Sequence, residues 1–328
     1  MYIIAGMVRG REAARWLVRV LVSAGIIGYV LADVDLGDLA RAMAHVRLAP
    51  VLVGLGLFLF SQALSAYKWS RIGRALGFEH SLVDYGRFYF IGMFFNLFGP
   101  STLGGDLVRA LYLGAGRRRR LAVSSVVFDR ATGLALLVAL GALGFLLFPE
   151  YRFPRSLILG TVAVGGLLVA GWWAAPRLVR LLPAGRWTRE LRREVEVDLA
   201  PLWRDRRLLA TAAIVSVVLH LTQVAGQYVL ARAAGARLPF SYCLIFHPVI
   251  TVMTALPVSV NGVGVREGGY LYFLTRIDID DSIAVTLSLL AFGVTVVAGL
   301  LGGVVFLVSG ATLPTLRAPA SKEAGVAA

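Results

Sequence analysis

The chain has 328 residues, of which 58% are apolar and only 16% are charged, and its mean hydropathy is +0.76. Soluble domains are about 45–50% apolar and about 25% charged, so this composition excludes a typical soluble enzyme, a disordered chain and a disulfide scaffold. The formal net charge of +14 by itself suits nucleic-acid binding, but hydropathy this high indicates a lipid bilayer. We therefore predict no nucleic-acid partner.

The sequence lacks the motifs of common enzymes and cofactor sites. Cys243 is the single cysteine, which excludes an intrachain disulfide and a cysteine-based metal site. The four histidines show no metal-binding pairing, and neither a phosphate-binding glycine loop nor a GxSxG nucleophile motif occurs. We therefore predict no catalytic residues, no metal and no cofactor.

Six segments are long and apolar enough to cross a bilayer, which takes about 20 mostly apolar residues per helix. They are residues 16–32, 48–67, 121–148, 157–175, 208–230 and 283–308. The first is short, contains Arg19 and ends in residues that resemble a signal-peptide cleavage site. Residues 1–32 are therefore either a retained helix, which we favour, or a cleaved signal peptide.

Two further apolar segments are each interrupted by proline and clustered glycine, at residues 99–105 and 257–264. These residue types break helices. The eleven residues before the first break, at about 1.5 Å each, reach only about half of a bilayer core of about 30 Å. We therefore predict two re-entrant helical hairpins, at about 88–113 and about 241–274. The predicted breaks are Pro100, Gly104, Gly105, Pro257, Gly262 and Gly264.

Lysine and arginine predict the orientation, because cytoplasmic loops carry an excess of both. With a cytoplasmic N-terminus and both hairpins returning to their own side, 22 of the 33 lie on the cytoplasmic side, 7 outside and 4 at membrane depth. The first hairpin then enters from the cytoplasm and the second from outside, and both termini are cytoplasmic. Lys68, Arg71 and Arg74 flank Trp69, and we interpret them as interfacial anchors.

The two hairpins align with each other at an offset of 157 residues. Residue types that are scarce at membrane depth recur at matching positions, namely Pro100 and Pro257, Gly105 and Gly262, and Arg109 and Arg266. Chance similarity between apolar segments is the alternative. The predicted topology favours a true repeat, because helix, hairpin and helix cross the membrane in opposite directions in the two halves. Inverted repeats with broken helices are the architecture of many secondary transporters.

We therefore predict an all-α polytopic integral membrane protein with two inverted repeats, six spanning helices and two re-entrant helical hairpins. The first half is 1–175 and the second is 208–312, followed by a cytoplasmic tail at 313–328. Residues 176–207 join the halves as a basic cytoplasmic linker, predicted to form an amphipathic helix on the membrane surface. A solvated charged linker is the alternative. The apolar positions at helical spacing are Trp187, Leu191, Val195, Leu199 and Leu202.

Charged residues at membrane depth form the candidate site, because a charge there costs about 3 kcal/mol or more and usually faces a cavity or a partner. Arg109 and Arg266 would hold a phosphate between the hairpins, since guanidinium grips phosphate at two points. The alternative is fixed ion pairing, which we favour for Asp129 and Arg130, while capping of loose backbone is favoured for Asn261. The predicted substrate-binding residues are Asp106, Arg109, Asp129, Arg130, Asn261, Arg266 and Glu267.

Three motifs in order along the chain resemble the lysylphosphatidylglycerol synthase transmembrane family, also described as flippase-like. They lie at 94–109, 129–133 and 256–268, and the similarity covers about residues 16–312. The resemblance implies a bacterial inner-membrane protein that flips lipids or lipid-linked molecules between leaflets. Some members carry a soluble domain after this region that transfers an aminoacyl group from tRNA. Only residues 313–328 follow here, so we expect no synthase activity.

The expected function is therefore movement of a lipid headgroup across the bacterial inner membrane. The expected partners are membrane lipids, either an anionic or zwitterionic phospholipid or a polyprenyl-linked lipid. Two alternatives are a membrane-embedded enzyme that acts on a lipid phosphate and a non-transporting partner of a lipid-modifying enzyme. The sequence does not choose the lipid, the direction, the energy source or the oligomeric state.

Overall fold

The structure is a computed structural model that describes residues 35–98, 103–114, 118–181, 185–255 and 259–311, together with Leu21 and Pro183. These residues form helices joined by short turns, and no strand occurs among them. The predicted all-α class is therefore confirmed. Most of the first predicted span (16–32), the tail and the predicted breaks Pro100 and Pro257 lie outside the described residues.

Most of the described chain belongs to α-helices of different lengths. In chain order they are α1 (Leu36–Ala44), α2 (Leu48–Ala75), α3 (Leu82–Phe98), α4 (Leu103–Leu113), α5 (Arg119–Leu147), α6 (Arg155–Leu181), α7 (Arg186–Arg193), α8 (Pro201–Arg204), α9 (Arg206–Ala233), α10 (Phe240–Ala255), α11 (Val265–Leu274) and α12 (Asp281–Val308). A π-helical turn, Glu194–Asp198, follows α7, and 3-10 turns occupy Pro149–Tyr151, Val260–Gly262 and Thr275–Ile277.

Four of these helices, α2, α5, α9 and α12, are long and apolar enough to cross a membrane. They contain, or nearly contain, the predicted spans 48–67, 121–148, 208–230 and 283–308, as expected from hydropathy. The predicted span 157–175 lies within α6, Arg155–Leu181, which is not among the four candidate spans identified over the described residues. Its crossing therefore stays a prediction.

Small residues set the close packing between the long helices, as is common where lipid gives no hydrophobic driving force. α2 packs against α9, where a Cβ added at Gly54 would lie 2.8 Å from Leu230. α12 packs against α3, with Gly302 over the backbone carbonyl of Phe90 and Gly303 against the ring of Phe94. Larger side chains at these positions would separate the helices.

The two halves of the chain pack on each other reciprocally. The first arm of the first hairpin, α3, packs against α12, the last helix of the second half. In return, the first arm of the second hairpin, α10, packs against α5, the long helix that follows the first hairpin. Two halves related by a twofold axis would give this arrangement. The inverted repeat and the re-entry of the hairpins themselves stay predictions.

Several predicted boundaries differ from the structure. Gly104 and Gly105 were predicted as part of the first break, but they lie in the first turn of α4, which begins at Leu103. α3 begins at Leu82 rather than near residue 88, because Ser81 and Asp84 cap its start through reciprocal side-chain and backbone hydrogen bonds. α6 continues to Leu181, past the predicted end of the first half at 175.

The linker is divided among several short helical elements rather than being one amphipathic helix. Leu199 and Leu202 are buried in the core cluster that also contains Trp69 and Phe128, so protein covers this part of the predicted lipid-facing surface. Leu191 is exposed.

Candidate functional site

The two arms of the first hairpin, α3 and α4, pack closely against each other. A Cβ at Gly105 would overlap the backbone carbonyl of Gly92, so only glycine allows the arms to come this close. Asn96 Oδ1 accepts a hydrogen bond of 2.7 Å from the backbone N–H of Gly105, which lies in the first turn of α4. The backbone N–H groups there lack helical partners, and Asn96 satisfies one of them. The hairpin therefore presents the side chains of α4 in a fixed position.

Five charged side chains from three helices meet beside this hairpin. Asp106 and Arg109 come from α4, Asp129 and Arg130 from α5, and Lys68 from α2. Arg109 lies 3.2 Å from Asp106 through Nε and 3.2 Å from Asp129 through Nη2. Lys68 Nζ lies 3.1 Å from Asp129 Oδ1, and Arg130 contacts Asp106 at 2.9 Å. We call this group the charge cluster.

Arg109 lies at the centre of the charge cluster and its side chain is only 2% exposed. The guanidinium carbon is 5.1 Å from the ring centroid of Trp69 and 4.9 Å from that of Tyr89, within the range of cation–π attraction. Trp69 is itself fixed by a hydrogen bond of 3.1 Å from Nε1 to Ser125 Oγ. The guanidinium is therefore held by ion pairs and ring faces rather than by hydrogen bonds. None of its three nitrogens has a hydrogen-bond partner among the described residues.

Lys68 belongs to the site, and its interpretation as an interfacial anchor was wrong. Its side chain is 4% exposed, and Nζ donates to the backbone carbonyl of Asp129 at 2.9 Å and to Ser216 Oγ at 3.2 Å. The neighbouring Trp69, Arg71 and Arg74 made it resemble a helix-end anchor. A different signal was available, because the polar residues Ser61, Ser65 and Lys68 share one face of α2, and all three are buried.

The charge cluster holds three cations and two carboxylates, which gives it a formal charge of +1. Arg130 contributes from the rim, because its side chain is 49% exposed while Asp106 is 12% exposed. Arg130 donates to both oxygens of Asp106 at 2.9 Å, in the two-point geometry typical of arginine and carboxylate. The site is therefore positive, with a buried centre and one accessible edge.

The second hairpin contains an ion pair of its own, formed by Arg266 and Glu267. Arg266 Nη2 lies 2.6 Å from Glu267 Oε1, and Ser288 Oγ on α12 donates to the same oxygen at 3.2 Å. Glu267 Oε2 accepts from the backbone N–H of Gly264 at 2.6 Å and so caps the start of α11. The Arg266 guanidinium also lies 4.4 Å from the ring of Phe292. This pair has no net charge.

Asn261 adopts the left-handed conformation, with φ of 51°, in the turn before α11. Its Nδ2 donates to the backbone carbonyl of Leu97, near the end of α3, at 3.3 Å. A hydrogen bond therefore joins the turn before α11 to the end of α3, which agrees with the capping alternative for Asn261. Gly262 and Gly264 also have positive φ, of 74° and 85°, a conformation that glycine adopts without strain.

The geometry thus brings four of the seven predicted residues together with Lys68. A family model described as the lysylphosphatidylglycerol synthase TM region matches residues 16–303. The chain belongs to this family. No curated protein and no solved structure matches the chain.

Membership in the lysylphosphatidylglycerol synthase transmembrane family, together with the four candidate spans, identifies a multi-pass membrane protein related to lipid modification or transport. The family match includes both hairpins, the charge cluster and the Arg266–Glu267 pair. Among the described residues, no ion pair joins Arg266 or Glu267 to the charge cluster. Simultaneous binding of one phosphate by Arg109 and Arg266 therefore stays a prediction.

A separate cavity of about 1230 Å³ lies where α1 meets the start of α12. Its lining includes five aspartates, and none of the residues of the charge cluster contributes to it. The aspartates are Asp35, Asp38, Asp278, Asp280 and Asp281. Arg41 and Arg47 also line this cavity, so its formal charge is −3 from five aspartates and two arginines. A net negative charge disfavours phosphate, so we place the candidate anion site at the charge cluster instead.

Proposed function

We propose that this protein moves a phosphate-bearing lipid headgroup between the two leaflets of a bacterial inner membrane, without chemical conversion of the lipid. The observation that carries this proposal is the buried charge cluster with its formal charge of +1 and an Arg109 guanidinium whose nitrogens make no hydrogen bonds within the described residues. A phosphodiester carries one negative charge, so its binding would bring the cluster to neutrality.

Arg109 suits recognition of phosphate for three physical reasons. Its guanidinium is planar and donates at two points, which matches a phosphate better than the point charge of lysine. Hydrogen bonds to charged groups contribute about 1.5–3 kcal/mol each, and the contacts of Arg109 with Asp106 and Asp129, at 3.2 Å, are ion pairs without aligned hydrogen bonds. Finally, Trp69 and Tyr89 hold the guanidinium between their rings, so little side-chain freedom is lost on binding.

The packing of the helices supports transport rather than simple binding. The predicted inverted repeat and the reciprocal contacts of α3 with α12 and of α10 with α5 would let one half rock against the other around a fixed site. Arg130 would receive the headgroup at the accessible rim, and Arg109 would hold it at the buried centre. The acyl tails would stay in the bilayer throughout.

A leaflet-exposure assay tests the proposal. The purified chain is reconstituted into phosphatidylcholine vesicles with trace fluorescent phosphatidylglycerol, fluorescent phosphatidylcholine or a fluorescent glycolipid that lacks phosphate. We expect faster exposure of the phosphate-bearing probes than in protein-free vesicles, and no acceleration for the glycolipid. Equal acceleration of all three probes, or acceleration of none, would contradict recognition of phosphate.

A further inference from the structure

A chain of buried and half-buried polar side chains continues from the charge cluster into the contact between α2, α5 and α9. It starts at Lys68, which donates to Ser216 Oγ on α9 at 3.2 Å. One helical turn further along α9 lies His220, which is buried. Gln223 follows, with Nε2 lying 3.5 Å from Ser61 Oγ on α2. The proposed function makes no use of His220 or Gln223.

Both ring nitrogens of His220 face an oxygen. Nε2 lies 2.9 Å from the backbone carbonyl of Gly133 on α5, and Nδ1 lies 3.3 Å from Gln223 Oε1. A neutral imidazole carries one N–H and donates to one of these oxygens only, whereas an imidazolium donates to both. The contact of Gln223 Nε2 with Ser61 Oγ favours the amide orientation that turns Oε1 towards the ring. The pocket therefore offers an acceptor to each N–H of a protonated histidine, whereas a neutral ring leaves one of these contacts without a proton.

Gly133 connects His220 to the charge cluster. It lies one turn after Asp129 on α5, and a Cβ added there would lie 3.3 Å from Lys68 Nζ. The Lys68 ammonium and the His220 ring therefore both lie next to Gly133, and the ring contacts the Gly133 carbonyl oxygen. The charged and titratable groups that face His220 are Lys68 from α2 and His247 from α10. Asp129 forms an ion pair with Lys68, and Arg109 forms one with Asp129.

We propose that His220 takes up a proton when the charge cluster binds an anionic lipid headgroup, so that headgroup and proton cross the membrane together. This inference rests on the proposed function. Without an anion, the excess positive charge beside Lys68 opposes a further charge on His220. A bound phosphate cancels that excess, and a proton from water then binds to the free ring nitrogen. Coupling between two binding events is reciprocal, so the proton in turn strengthens binding of the headgroup.

The first test measures protons taken up on binding. The full chain in neutral detergent is titrated with short-chain phosphatidylglycerol by calorimetry at about pH 6.5, near the ordinary titration range of histidine, in two buffers of different ionisation enthalpy. We expect net proton uptake per lipid bound in the wild type and none in His220→Gln, which still binds. Gln223→Leu removes one acceptor and should reduce the uptake. The control is His80→Gln, since His80 bonds to the carbonyl of Leu113 and should not affect uptake. Equal uptake in wild type and His220→Gln would overturn the inference.

The second test measures transport of fluorescent phosphatidylglycerol under an imposed pH gradient. One proton per headgroup biases the lipid distribution by up to about tenfold per pH unit. We expect this bias in the wild type and in His80→Gln, and gradient-independent movement in His220→Gln. Lipid transport by the wild type that does not depend on the pH gradient would overturn the inference and leave the proposed function intact. Absence of both lipid binding and movement would overturn the two together.

Discussion

Arg109 Nη2 lies 3.2 Å from Asp129 Oδ2, so the second arm of the first hairpin is tied to the long helix that follows it. Both side chains are buried, and Asp129 is shared with Lys68 from a third helix. Asp129 therefore joins α2, α4 and α5.

Asp129→Ala should destabilise the protein by about 3–5 kcal/mol, because it leaves Lys68 and Arg109 buried without this partner. The thermal unfolding midpoint in detergent measures the loss. The double variant Lys68→Met with Asp129→Leu removes one charge of each sign and keeps the formal charge of the cluster at +1. We expect it to recover much of the lost stability. A double variant no more stable than Asp129→Ala would show that the pair is not a major source of the effect.

Gly105→Ala should open the first hairpin, because the added Cβ would overlap the carbonyl of Gly92. Overpacking of this kind costs about 1–3 kcal/mol, and the displaced α4 would carry Arg109 away from Asp129. We expect a lower unfolding midpoint and loss of lipid transport. Gly86→Ala on α3 is the matched control, since its added Cβ meets nothing within 4 Å. Similar behaviour of the two alanine variants would rule out the close approach of the arms.

Arg130→Gln should weaken binding of anionic lipid while it changes stability little. Arg130 is half-exposed, so its ion pair with Asp106 contributes at most about 1 kcal/mol to stability. Its removal lowers the formal charge of the cluster to zero. We expect several-fold weaker binding of short-chain phosphatidylglycerol with an unchanged unfolding midpoint. Arg87→Gln, which removes a mostly exposed arginine on α3, serves as the control. Unchanged affinity in Arg130→Gln would remove this residue from the binding site.

Glu267→Gln should destabilise the second hairpin, because Glu267 accepts hydrogen bonds from Gly264, Arg266 and Ser288. Loss of charge-assisted hydrogen bonds costs about 1.5–3 kcal/mol. The exposed Glu150→Gln should change stability by less than about 0.5 kcal/mol. A matching change in both variants would indicate a general charge effect rather than a local role for Glu267.

Hydropathy predicted the all-α class and six spans, of which four match long apolar helices among the described residues. Scarcity of charge at membrane depth identified Asp106, Arg109, Asp129 and Arg130. Their partners could not be read from the sequence, because the Lys68–Asp129 contact joins residues far apart in the chain.

Two interpretations based on local sequence context were wrong, because tertiary packing buries the residues concerned. Lys68 was interpreted as an anchor because of its basic neighbours, and Leu202 as lipid-facing because of helical spacing, yet both are buried in protein. Helix spacing shows which residues share a face, but it does not show whether lipid or another helix covers that face.

The most direct test of the account compares Arg109→Gln with wild type in the leaflet-exposure assay, using fluorescent phosphatidylglycerol. Glutamine keeps much of the side-chain volume and lowers the cluster to neutrality, and a cooperative unfolding transition confirms that the variant folds. Arg87→Gln controls for the loss of any arginine. We predict that Arg109→Gln loses at least about 90% of the wild-type acceleration, which corresponds to the tenfold effect of about 1.4 kcal/mol, while Arg87→Gln retains it. A folded Arg109→Gln that moves the probe at the wild-type rate would contradict the central claim that the charge cluster holds the lipid phosphate.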